Sequence, residues 1–228
     1  MNQKPSTHST LLAPKWRRQA IANSVTHGFG ALLAVAALVL LVLAAVRQGS
    51  PKGVFCAAVF GASMVCLYVS STLLHSLPPG RARRAFVHLD LACIFGLIAG
   101  TYTPFTLLVL RGALGWSLFG IVWVLAILGI ILASAFQKQF ERVAAYLYLA
   151  LGWLIVIAIH PLARELGTAG MVLLVGGGLA YSVGVIFFLR HRFLYYHSIW
   201  HVFVLLGSFL HFLAVLLYVL PDIGRFSN

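Results

Sequence analysis

Four ionisable side chains interrupt otherwise apolar runs of this 228-residue chain: His75, Asp90, His197 and His201. His197 and His201, in Tyr196-His-Ser-Ile-Trp-His201, are four residues apart and so share one face of a helix. A histidine pair at that spacing is a two-point clamp for a metal ion, and His75 supplies the third imidazole of an open zinc site. Asp90 adds a carboxylate suited to orienting and deprotonating a water one step from the metal. Ser71 stands four residues before His75, on the same helical face. Zinc lowers the pKa of its water towards about 7, so the set suits hydrolysis of a carbonyl compound.

The composition sets the surroundings of that chemistry. The chain is 61% hydrophobic and 9% charged, more apolar side chain than a soluble domain of this length can hide. The expected class is an all-α polytopic membrane protein, since open strand edges cannot face lipid. Ionisable groups at membrane depth are costly, so a cluster of them marks a functional site. A formal net charge of +12 would suit a nucleic-acid binder if the basic residues formed one face. They lie instead as short flanks between apolar runs, the pattern of helix ends anchored at anionic lipid, and no nucleic-acid partner is expected.

Reading from charge to charge gives seven uncharged stretches: Arg18 to Arg47, Lys52 to Arg81, Asp90 to Arg111, Arg111 to Lys138, Arg142 to Arg164, Glu165 to Arg190, and Arg192 to Asp222. Each reaches about 20 residues, enough to cross a hydrocarbon core of roughly 30 Å as a helix. The N-terminal tail and even connections carry eleven of the sixteen Lys and Arg residues, and the odd connections with the C-terminal tail carry five. The positive-inside rule then predicts an N-terminus in the cytoplasm and a C-terminus outside. The domain plan is a basic cytoplasmic tail over 1–18, a seven-helix domain over 19–221 and a short external tail over 222–228. The first apolar run is too long for a signal-peptide core and is read as a retained helix.

This orientation brings the ionisable residues of three spans to the cytoplasmic leaflet: His75 ends the second, Asp90 opens the third, and His197 and His201 open the seventh. A lone histidine near a helix end is ordinarily an interfacial residue; the convergence of four groups is what distinguishes this set. Asn23 and His27 of the first span can approach the same place. His88 points to nearly the opposite side from Asp90, His160 ends the fifth span outside, and His211 lies about 15 Å beyond His201. His8 falls in the tail and His191 in a basic loop. Cys56, Cys66 and Cys93 have no metal-ligand spacing and read as buried, inert thiols. Pro104 should kink the third span. Small-residue pairs such as Gly30/Ala34 and Gly176/Ala180 serve close helix packing.

Several of these segments together resemble the hemolysin III family, within the progestin and adipoQ receptor superfamily. They are Ala-Asn-Ser-Val-Thr-His-Gly at 22–28, Ser71-Thr-Leu-Leu-His75, Asp90 with Leu-Ile-Ala-Gly-Thr-Tyr-Thr-Pro-Phe at 97–105, and His197-Ser-Ile-Trp-His201. The resemblance runs from about Ile21 to Leu217. It implies a seven-helix fold with a cytoplasmic N-terminus, zinc held by His75, His197 and His201, Asp90 reaching the zinc-bound water, and Ser71 supporting the site. Alkaline ceramidases are similar in this arrangement, which implies lipid amide hydrolysis. The chain departs from the family pattern at Gln19-Ala20, where acidic residues are common, and at Leu91, where histidine often follows the aspartate.

The expected function is a zinc-dependent hydrolase of lipid amides or esters in membrane lipid homeostasis, located in the cell membrane and taking a membrane lipid as substrate or ligand. The alternatives are a receptor-like sensor with structural zinc, and a pore-forming haemolysin. Asp90 favours the first, because a purely structural zinc is normally closed by four protein ligands. No amphipathic, conditionally soluble segment supports secretion as a toxin. For the topology, reporter fusions at Ser6 and Ser227 are expected to place the first inside and the second outside. A cytoplasmic Ser227 would contradict the seven-span count.

Overall fold

A computed structural model describes residues 7–110, 112–135, 137–190 and 195–223; of residues 7–16 and 137–142 it describes the backbone alone. Lys4, Arg111, His191, Arg192 and Arg225 lie outside the described residues, as do the side chains of His8, Lys15, Lys138 and Arg142. The described chain is helical, with no strand. The helices are α1 (Thr7–Arg47), α2 (Pro51–Ser76), α3 (Arg81–Pro104), α4 (Gly112–Ala135), α5 (Gln137–Trp153), α6 (Ile159–Leu189) and α7 (Tyr196–Ala214). A π turn, Phe105–Val109, extends α3, a second, Val215–Val219, extends α7, and a 3₁₀ turn, Leu154–Ala158, joins α5 to α6.

Six described segments are long and apolar enough to cross a membrane, which makes the chain a polytopic all-α membrane protein. One of them, Val143–Leu189, is 47 residues long, about 70 Å as an unbroken helix and more than twice the hydrocarbon thickness. It is broken at Gly167, whose φ of 64° and ψ of −179° belong to no helix and suit a residue without Cβ. Other boundaries follow from local chemistry. Pro51 opens α2, where it lacks only an N–H that would be unpaired, and the Ser50 side chain accepts the Gly53 N–H at 3.0 Å. Leu77 is extended, and Pro78-Pro79-Gly80 carries the chain to α3.

The helices close into a ring in which each packs on its chain neighbour and α7 returns to α1. The α3 segment is the innermost, with 72% of its apolar window buried against 28% for α1 and α4. The outer faces of α1 and α4 present side chains such as Leu32 and Val124, as a lipid-facing surface requires. Inside, glycines let the helices approach closely: a Cβ at Gly61 would strike the α1 backbone at Leu38.

Two irregular stretches meet next to α3. Pro104 has no N–H for the Gly100 carbonyl, and the helix loosens into the π turn that follows, with the Leu110 N–H reaching Phe105 O at 2.9 Å. Across from it, the Tyr102 hydroxyl lies at the α5–α6 break. Its proton is shared between the carbonyls of Leu151 at 2.9 Å and Gly152 at 2.8 Å, and its oxygen accepts the Ile155 N–H at 2.6 Å. One phenol thus pairs backbone groups that a regular helix would have paired internally. The expectation of three buried thiols needs correction: Cys56 is buried, Cys93 half-buried, and Cys66 exposed on the outer side of α2, where an apolar-run residue meets lipid.

Candidate metal centre

His75 occupies the last turn of α2, and His197 and His201 the first turns of α7. The chain enters α7 through Tyr195, the one non-glycine with positive φ among the described residues (70°), a conformation held by the surrounding fold. Each of the three histidines offers a ring nitrogen within 4.8 Å of the other two, so the group can hold a metal ion. Ring centroids are 5.0 Å apart for His75 and His197, 5.2 Å for His75 and His201, and 4.6 Å for His197 and His201. His75 Nε2 and His201 Nδ1 are enclosed and meet no hydrogen-bond partner. Buried imidazole nitrogens of this kind ordinarily have partners, and neutral imidazole lone pairs are the donors that a metal such as zinc takes.

The first span joins the site. His27 on α1 is 3% exposed and stacks on His201, with centroids 3.5 Å apart and planes 12° from parallel. Its other neighbour is Tyr68, edge-on at 5.1 Å. Asn23, one turn earlier, places its amide between α2 and α7: Nδ2 lies 3.4 Å from His75 Nδ1, and Oδ1 accepts the Ser198 hydroxyl at 2.5 Å.

Asp90 and Ser71 stand beside the three-histidine group. They are neighbours on the wall of one cavity, with the Ser71 side chain facing the Asp90 carboxylate, and Asp90 Oδ1 and Ser71 Oγ are both enclosed. The cavity, ≈ 820 Å³, runs from His27, Asp90 and His201 inward between α3, α5, α6 and α7, past Leu97, Ile98 and Val185. Its far end meets a second chamber of ≈ 490 Å³ along Thr101, Tyr102, Trp153 and His211. On the other side a wider vestibule of ≈ 1040 Å³ includes His75, His197, Arg83 and Tyr196. Asp90, Ile94 and Trp200 line both vestibule and cavity, so the carboxylate stands where a polar approach meets an apolar interior.

All five residues singled out in the sequence thus lie around one junction. Asn23 and His27 join them, while His88 and His160 line neither the cavity nor the vestibule. Ser198 and Tyr68 went unread. Tyr68 does share a helical face with Ser71 and His75, at intervals of three and seven residues, and that spacing was the available signal. Ser198 had none, because its partner Asn23 is 175 positions away in the chain. Gln19, Ala20 and Leu91, where the chain departs from the family pattern, all line the vestibule.

Fold and site define a polytopic helical membrane protein with a three-histidine group able to hold a metal ion. The chain belongs to the family described as haemolysin-III related, whose model matches residues 16–212. It is 48% identical over 204 residues to Hemolysin-3 of Bacillus cereus, covering 90% of this chain and 93% of that protein. To the Hemolysin-3 homolog of Bacillus subtilis it is 45% identical over 201 residues, 88% and 94% of the two chains. More distantly, it is 26% identical over 167 residues to the human monocyte to macrophage differentiation factor, covering 71% and 69%.

The Asn23 amide yields a test. For His75 to bind through Nε2, its Nδ1 must carry the proton and donate it, so Asn23 must turn its oxygen to the ring. Asn23→Asp keeps an acceptor there and is expected to retain metal affinity. Asn23→Leu has none and is expected to weaken it about ten- to hundredfold, measured by competition with a chromophoric chelator. Equal affinity in the two variants would mean that Asn23 does not orient His75.

Proposed function

We propose that this chain is a zinc-dependent hydrolase of lipid amides or esters, with His75, His197 and His201 as metal ligands, Asp90 as the proton acceptor and Ser71 as its support. The observation that carries this reading is the junction: three imidazoles and a buried carboxylate where a polar vestibule opens into an apolar cavity. His75, His197 and His201 would hold the ion through ring nitrogens that lie within 4.8 Å of one another. Zinc, when bound there, supplies Lewis acidity to the scissile carbonyl and to a water.

The chain's own residues do the rest. The cavity takes the acyl chain and so excludes bulk water from the carbonyl, while the vestibule takes the polar portion of the lipid, with Arg83 on its wall. Asp90 accepts the proton of the water whose oxygen adds to the carbonyl carbon. It returns that proton to the departing nitrogen or oxygen as the C–N or C–O bond breaks, giving a fatty acid and an amine or alcohol. The Ser71 hydroxyl, next to Asp90, orients the carboxylate.

The proposal carries the topology with it. The break at Gly167 divides Val143–Leu189 into two spans, giving seven in all, with the N-terminus inside the cell membrane and the metal site at the cytoplasmic leaflet. The reading as a sensor with structural zinc is favoured by one observation, the tying of α1, α2 and α7 through His27, Asn23 and the three histidines. A pore, as the name of the Bacillus relatives suggests, has less support, because the cavity beyond Asp90 is walled mainly by apolar side chains.

Asp90→Asn separates these readings. An amide still hydrogen-bonds a water but cannot take its proton. The hydrolase reading expects zinc retained and release of fatty acid from a lipid amide lowered by at least about a hundredfold. A wild type without turnover, with Asp90→Asn merely less heat-stable, would favour the sensor. Zinc lost outright would make Asp90 a ligand.

A further inference from the structure

The deep end of the cavity is not uniformly apolar. His211 lies there, 7% exposed, ten residues and so about 15 Å along α7 from His201. One ring nitrogen, Nε2, is 3.0 Å from the carbonyl oxygen of Leu174 on α6. A carbonyl only accepts, so Nε2 carries the proton and donates it, and the neutral ring presents Nδ1 as an acceptor. That Nδ1 is enclosed and has no hydrogen-bond partner.

The position is built and held. Gly177 of α6 faces the Cδ2–Nε2 edge so closely that a Cβ there would overlap the ring. Nδ1 therefore belongs to the ring edge turned away from α6. The Tyr181 ring lies 5.6 Å from the imidazole, and its hydroxyl is fixed by Ser208 at 2.9 Å, which in turn accepts the Tyr68 hydroxyl at 2.7 Å. The Thr101 hydroxyl, across the cavity, donates back to Leu97 O at 2.8 Å. The neighbouring hydroxyls thus have partners of their own, and the His211 acceptor is left over.

We infer that the deep end of the cavity is a subsite for a hydroxyl group carried part-way along a lipid chain, with His211 Nδ1 as its acceptor. This rests on reading the cavity as a lipid-chain site and adds a substrate class, lipids whose acyl chain carries a hydroxyl part-way along. The requirement is directional: a carbonyl or ether oxygen on the chain gives Nδ1 no proton, whereas a hydroxyl gives one. An unsubstituted chain leaves the acceptor as it stands in the free protein, buried and without a partner, so only a hydroxyl gains a hydrogen bond there.

The test uses the full-length protein in lipid nanodiscs and two fatty acids, oleate and ricinoleate, which differ by a hydroxyl midway along the chain. The carboxylate is common to both, so contacts at the metal end cancel in the comparison. Each is titrated against a bound fluorescent fatty acid. Ricinoleate is expected to compete about tenfold more strongly than oleate in the wild type, a difference of about 1.4 kcal/mol. His211→Phe, which keeps a ring and removes the acceptor, is expected to erase that preference and leave oleate unchanged. Should that variant not accumulate, Gly177→Ala, which displaces the ring, should erase it too. Equal competition by the two acids in the wild type would overturn the subsite and leave the lipid-chain reading standing. A preference that survives His211→Phe would also overturn it. If neither acid displaces the probe, the cavity is no chain site and both readings fall.

Discussion

A polar atom inside a lipid-immersed helical bundle has no water to fall back on, and this constraint orders the whole molecule. Where α5 breaks, the freed backbone groups are met by a side chain, Tyr102, which serves Leu151, Gly152 and Ile155 together. Hydroxyls elsewhere return to their own helix, as Thr72 does to Tyr68 O and Thr103 to Ala99 O. Against this background the unpaired atoms stand out. They include His75 Nε2, His201 Nδ1 and Asp90 Oδ1, all around the same junction. The two histidines among them belong, with His197, to the group that could hold a metal ion.

The architecture explains how such a site is kept. α3 runs through the middle and carries Asp90 on its cavity side, while α2 and α7 bring the histidines from either flank and α1 covers them with His27. The close contacts of α6 with α7, through Gly177, Gly184 and Gly207, fix the wall opposite. On that side of the cavity, α6 and α7 lie too close for a Cβ at any of the three glycines. The same closeness gives a polar group such as His211 a defined position at depth.

Much of this was legible in the sequence. The helical membrane class followed from composition, and the convergence of His75, Asp90, His197 and His201 followed from counting charges between apolar runs. Spacing put His197 and His201 on one face, and their ring nitrogens do approach each other. The unread parts were of three kinds. The irregular stretch at Leu154–Ala158 has a tertiary partner, Tyr102, which apolar runs do not encode, whereas that at Phe105–Val109 follows Pro104. The link from Asn23 to Ser198 joins residues at opposite ends of the chain, and serine has no periodic signal. The cavity lies between helices, and the exposure of Cys66 depends on which face of α2 meets a neighbour; neither is a property of any one segment.

The central claim is that the three imidazoles hold a metal. The direct measurement is the zinc content of the purified full-length protein beside that of the His197→Ala/His201→Ala double variant. The account requires one zinc per chain in the wild type and none in the double variant, with helicity unchanged in both. Zinc retained by the double variant, or a folded wild type that takes up no zinc, would contradict it.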